Sequence, residues 1–123
     1  MYNMENVLKE KSYAFALRVV KLAQYLSSKK KEYVLSRQVL RSGTAIGALI
    51  SEAEFAQSKP DFVNKLSVGL KEANETQYWL KLLNEGSYIS ETMYNGIQPQ
   101  AKELIKLLVT SIKTAKDNIK ADQ

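Results

Sequence analysis

Residues 58–86 open on Ser58-Lys59-Pro60-Asp61-Phe62 and continue VNKLSVGLKEANETQYWLKLLNEG. This stretch decides the fold. Phe62, Leu66, Gly69, Ala73, Thr76, Leu80 and Leu83 recur in steps of four and three, which places them on one helical stripe. Ser58 suits an N-cap, Pro60 the first turn, and Asp61 the N3 position of a capping box. Gly86 stands where a left-handed residue would end the helix. The spacing predicts a helix over residues 59–85.

The same period extends outward on both sides. Leu8, Phe15, Val19, Leu22 and Leu26 define a first helix over about 5–28. Leu35, Val39, Ser42, Ile46, Ile50 and Ala53 define a second over about 32–57. Ile97, Ala101, Leu104, Leu108, Ile112, Ala115 and Ile119 define a fourth over about 91–118, with Ser90 as its N-cap. Asn95-Gly96 and Pro99 fall inside that last segment. A proline removes one backbone hydrogen bond and crowds the preceding turn. The fourth helix is therefore expected to be kinked near Asn95–Pro99, or broken there into a short and a main helix. No alternating Val/Ile/Thr run reads as a strand. Long helices on short connections predict an all-α, up-down-up-down four-helix bundle in a single domain, 1–123.

Composition excludes several functions. The 123 residues contain no His and no Cys. That removes Ser-His-Asp chemistry, imidazole or thiolate metal sites and disulfides. A carboxylate-bridged di-iron bundle needs Glu-x-x-His pairs, so Glu72 and Glu75 read instead as ion-pair partners. No phosphate-binding glycine loop is present, and an enzyme, a metal or a cofactor is not expected. Met1–Lys11 is charged where a signal peptide would be apolar, and no segment has the roughly 20 apolar residues of a membrane span. A cytoplasmic protein without membrane association is the expectation.

The charge is uneven. Eighteen Lys+Arg against 13 Asp+Glu give +5. Residues 1–41 hold nine basic and three acidic residues, and residues 42–123 hold nine and ten. The excess gathers on Lys11, Arg18 and Lys21 beside Tyr25, on the turn Lys29-Lys30-Lys31, and on Arg37 and Arg41. A solvated face, a phosphate-backbone contact and an acidic protein partner each account for such a cluster. Cations beside an aromatic favour nucleic acid as the functional reading.

Some apolar residues lie off the stripes. At about 100° per residue, Tyr13, Leu17 and Val20 leave the first stripe, Phe55 is nearly opposite Ile46, and Tyr78, Trp79 and Leu82 leave the third. Such a surplus predicts a subunit interface, where Tyr and Trp are favoured. The small-residue run Ser42–Ala48 holds Gly43 and Gly47 four apart. Glycine is costly inside a helix, so the pair indicates a tight helix approach or a ligand contact.

Several runs together resemble a known family. They are Ser12-Tyr13-Ala14-Phe15-Ala16, Arg41–Ala48, Ser58–Phe62 and Lys71–Leu80. The chain is similar over roughly Glu5 to Lys116 to the four helix bundle protein family, also called the 23S rRNA-intervening-sequence protein family. Its members are encoded in insertions within ribosomal RNA genes or elsewhere in bacterial genomes. The resemblance implies a barrel-shaped homopentamer with no catalytic residues. It extends to the accessory variability determinant of diversity-generating retroelements, a basic, nucleic-acid-binding relative. Structured RNA, rRNA included, or DNA is then the expected partner, and a protein-recruiting scaffold the alternative. Leu49 departs from the family pattern, where Asn is frequent, and Ala53 replaces a frequent Gly, while Glu52 matches.

Overall fold

Ser58 begins the third helix as its residue type requires: its Oγ accepts the Asp61 backbone N–H at 3.1 Å. The Asp61 carboxylate accepts the N–H of Gln57, at 3.2 Å, rather than that of Ser58. Ser90 caps the fourth helix in the same way, accepting from the Met93 N–H at 3.1 Å. The computed structural model describes residues 4–123. The first residues of the Met1–Lys11 stretch lie outside them. The helices are α1 (Met4–Lys29), α2 (Val34–Ala53), α3 (Lys59–Glu85) and α4 (Glu91–Ala121), with no strand among the described residues.

The helices form a ring in chain order. Each packs on its sequence neighbours, and α4 returns to α1 along the least intimate seam. The bundle core is Phe15, Val19 and Leu26 from α1, Val39 and Ile46 from α2, Leu66, Leu80 and Leu83 from α3, and Leu104 and Leu108 from α4. These are the stripe residues of the sequence. A buried leucine, valine or phenylalanine contributes about 1.5–3 kcal/mol relative to exposure. Burial of these stripes is what holds four helices together, since isolated helices are marginal in water.

Three details sharpen the sequence reading of the helices. First, α2 runs over 34–53, not 32–57. Glu32 stays outside and uses its carboxylate to accept the Ser36 N–H at 2.9 Å, which satisfies a free donor at the helix start. Phe55 consequently sits in the α2–α3 connection and not on a helix face. Second, α4 continues unbroken through Pro99, which is exposed, so the two-helix alternative is not adopted. Third, Gly86 has φ −80° and Ser87 takes the left-handed position at φ 66°. The Tyr88 N–H donates to the Leu83 carbonyl and the Ser87 N–H to that of Asn84, which is a Schellman ending shifted by one residue.

The glycines of α2 answer the helix-approach question. A Cβ built on Gly43 would lie 2.8 Å from both γ-methyls of Val19, closer than real atoms approach. Gly43 therefore lets α1 and α2 meet. A Cβ on Gly47 would make ordinary contacts of 3.5 Å with Ser12.

Candidate nucleic-acid interface and association face

The eight basic residues separate into two groups. Lys11 pairs with Glu103 of α4 at 3.0 Å. Arg41 reaches across to α3, where it pairs with Glu72 at 3.1 Å and with Glu75. Glu72 and Glu75 are thus interhelical ion-pair partners, as the sequence predicts. Both cations are already matched by acids of the same molecule.

Arg18, Lys21, Lys29, Lys30, Lys31 and Arg37 are exposed, and none has an ion-pair partner among the described residues. The fold brings four of these to one end of the bundle. Lys29 ends α1, Lys30 and Lys31 form the connection, and Arg37 lies in the first turns of α2. Lys31 holds the left-handed conformation, φ 54°, that turns the chain. Arg18 and Lys21 continue the charge down α1 on the side that faces α4.

There α4 supplies residues that the sequence did not connect to the patch. Arg18, Lys21 and Tyr25 border a groove whose floor is Leu22, Met93 and Ile97. The Arg18 guanidinium lies over Gly96, where a Cβ would come within contact of its Nη2. No single-chain signal links Gly96 to Arg18, because the pairing exists only once α4 folds back on α1. The arrangement offers a guanidinium and an ammonium on an apolar shelf. It suits phosphate oxygens. Among the described residues no cluster of acids could hold a metal ion. No described helix is long and apolar enough to cross a membrane.

The off-stripe apolar residues are placed as follows. Tyr13, Leu17, Val20, Phe55, Tyr78 and Leu82 are exposed, Phe55 at 80% and Tyr13 at 67%. Trp79 is half-buried against the core. It meets Tyr78 edge-on, with ring centroids 5.1 Å apart. The buried Trp79 Nε1 has no acceptor among the described residues. Beside Tyr13, small residues (Ala16, Gly47, Ala48 and Ser51) leave a groove between α1 and α2.

Comparison with known proteins places this geometry in a family. No curated protein matches the chain. A crystal structure of a protein of unknown function from the S23 ribosomal protein family of Bacteroides thetaiotaomicron VPI-5482 superimposes with a TM-score of 0.89. It is 52% identical, and the match covers 90% of this chain and 99% of that one. The family model described as 23S rRNA-intervening sequence protein matches residues 4–110. With nearly the whole bundle inside that match, the chain belongs to the 23S rRNA-intervening sequence protein family.

Proposed function

We propose that this protein is a non-enzymatic, self-associating helical bundle that binds structured RNA or DNA through the basic end of the bundle. The observation that carries the reading is the set of six exposed cations without acid partners among the described residues: Arg18, Lys21, Lys29, Lys30, Lys31 and Arg37. Phosphates neutralised by such side chains release counterions, which makes binding strongly salt-dependent. Lysine and arginine without adjacent base-reading side chains favour shape over sequence. Self-association multiplies the patch. Two kinds of surface support it: the exposed Tyr13, Leu17 and Val20 of α1, beside the small-residue groove, and the Tyr78–Leu82 ridge of α3. Unlike surfaces on opposite elements suit a closed ring, in which each subunit uses one surface to meet the other. Five copies is the number that the family resemblance implies.

The test is binding of a structured RNA across salt. Affinity should fall by orders of magnitude between about 50 and 200 mM salt. Lys30→Glu with Arg37→Glu should abolish it. Arg41 is left out of this variant because Glu72 and Glu75 already hold it. Absence of binding at low salt would overturn the reading.

A further inference from the structure

The last helix carries a second basic surface. Lys102, Lys106, Lys113, Lys116 and Lys120 all lie on α4 and all are exposed. At about 100° per residue these five fall within roughly 80° of one another, on the side opposite the buried Leu104 and Leu108. At 1.5 Å per residue the row is roughly 27 Å long. None has an ion-pair partner among the described residues. Of the acids of α4, Glu91 is in the first turn and Glu103 is on Lys11, while Asp117 lines one margin of the row beside Lys113, Lys116 and Lys120.

An ordinary solvated helix face alternates charges. This one sets like charges four apart at Lys102/Lys106 and Lys116/Lys120, and three apart at Lys113/Lys116. Each such pair costs the helix about 0.2–0.5 kcal/mol. The helix macrodipole compensates only in the last turn, so it accounts for Lys120 and not for the rest. Val109, half-exposed in the same row, with Leu70 of α3 and Ile112, forms an apolar floor beside Lys113, Lys116 and Lys120.

We infer that the α4 lysine row is a second nucleic-acid contact, which tracks one sugar–phosphate backbone along the bundle. A straight row of five lysines, with Asp117 at one margin, fits a uniformly charged strand. The apolar floor fits the sugar faces between phosphates. Lysine supplies point charge without the planar fork of arginine, so this contact is blind to sequence. It rests on the nucleic-acid reading above but uses a different surface. Lys11 of α1 pairs with Glu103, so the start of the row at Lys102 lies roughly 27 Å down the bundle from the α1–α2 turn, by the 1.5 Å rise per residue from Lys11 to Lys29. One ligand reaching both surfaces must therefore be long, such as a duplex of about 20 base pairs, roughly 68 Å at 3.4 Å per step.

The experiment measures the salt slope of binding to a labelled DNA duplex of that length and to an RNA duplex of the same sequence. It compares the wild type, the α4 variant Lys106→Gln/Lys113→Gln/Lys120→Gln, and a turn variant Lys30→Gln/Arg37→Gln. Glutamine keeps the helix propensity, and unchanged helicity confirms the fold. Loss of three contacts should lower the slope by about 2–3 in the α4 variant, and loss of two by about 2 in the turn variant. An α4 variant equal to the wild type beside a weakened turn variant overturns this inference and leaves the function standing. A weakened α4 variant beside a normal turn variant supports the row and removes the turn. Wild type that binds neither duplex at low salt overturns both. Binding instead to phosphatidylcholine–phosphatidylserine vesicles, lost in the α4 variant, also overturns the inference, in favour of a membrane surface.

Discussion

Gly43→Ala should destabilise the bundle, although alanine is the better helix former. The new Cβ would meet both γ-methyls of Val19 at 2.8 Å and the Val19 Cβ at 3.2 Å. Val19 is fully buried and β-branched, so it cannot turn away within a helix. Overpacking of this kind costs about 1–3 kcal/mol. Replacing glycine inside a helix returns about 1 kcal/mol. The net expectation is a loss of up to about 2 kcal/mol. Gly47→Ala provides the reference, since its Cβ meets only ordinary contacts at 3.5 Å and should gain up to about 1 kcal/mol. The propensity gain cancels in the difference between the two variants. What is left, about 1–3 kcal/mol, is the cost of pushing α1 from α2. Urea unfolding followed by far-UV circular dichroism, at one fixed protein concentration, reads it directly. Introducing Val19→Ala should remove the penalty of Gly43→Ala and expose a coupling within about 0.5–3 kcal/mol. If Gly43→Ala stabilises as much as Gly47→Ala, the helices do not approach as described.

Ser87→Gly should raise stability by about 1 kcal/mol, because Ser87 holds a left-handed backbone that costs a side chain about that much; an unchanged urea midpoint would contradict it. Thr76→Val should cost about 1–3 kcal/mol, since the hydroxyl lies 2.9 Å from the buried Ser42 Oγ, which is left unpartnered; the cost should shrink in a Ser42→Ala background, and additive losses would deny the pair. Leu17→Asp should keep full helicity and lower the mass seen by light scattering, whereas Leu66→Asp, at a position 1% exposed, should unfold the chain. A native-sized assembly of the Leu17 variant would move the interface elsewhere.

The bundle was legible because burial enforces period. Phe15, Val39, Ile46, Leu66 and Leu104 each fall where a helix of 3.6 residues per turn meets the core, and all are buried. Helix ends were less legible because they depend on which single group satisfies a free donor or acceptor. Ser58 and Ser90 announce their role by type, whereas the Glu32 carboxylate caps α2 by accepting from the N–H of Ser36 four residues later, with nothing at Tyr33 to mark the start. Pro99 does not break α4. It lies early in a long helix on the exposed side, where water can satisfy the freed carbonyl and the chain need not break.

Charge was legible in amount but not in place. Residues 42–123 sum to nearly zero, with nine basic residues and ten acidic ones, which suggests a neutral surface. The fold undoes that cancellation. Glu72 and Glu75 turn toward α2 and meet Arg41, so acids of one segment neutralise a cation of another. Glu103 does the same for Lys11. Two of the eight basic residues read from the first segment are thereby matched internally, while five lysines of the supposedly neutral segment remain unmatched on α4 among the described residues. A sum along the chain cannot see this, because a helix sorts its residues by angle and neighbouring helices pair across the seams. Angle alone would have found the α4 row, since all five lysines follow from about 100° per residue. Finding the loss of Lys11 and Arg41 requires the packing. If nucleic acid binds, the salt slope should follow the unpaired cations, and Arg41→Gln should leave it unchanged; a drop of about 1 would show that phosphate displaces Glu72 and Glu75.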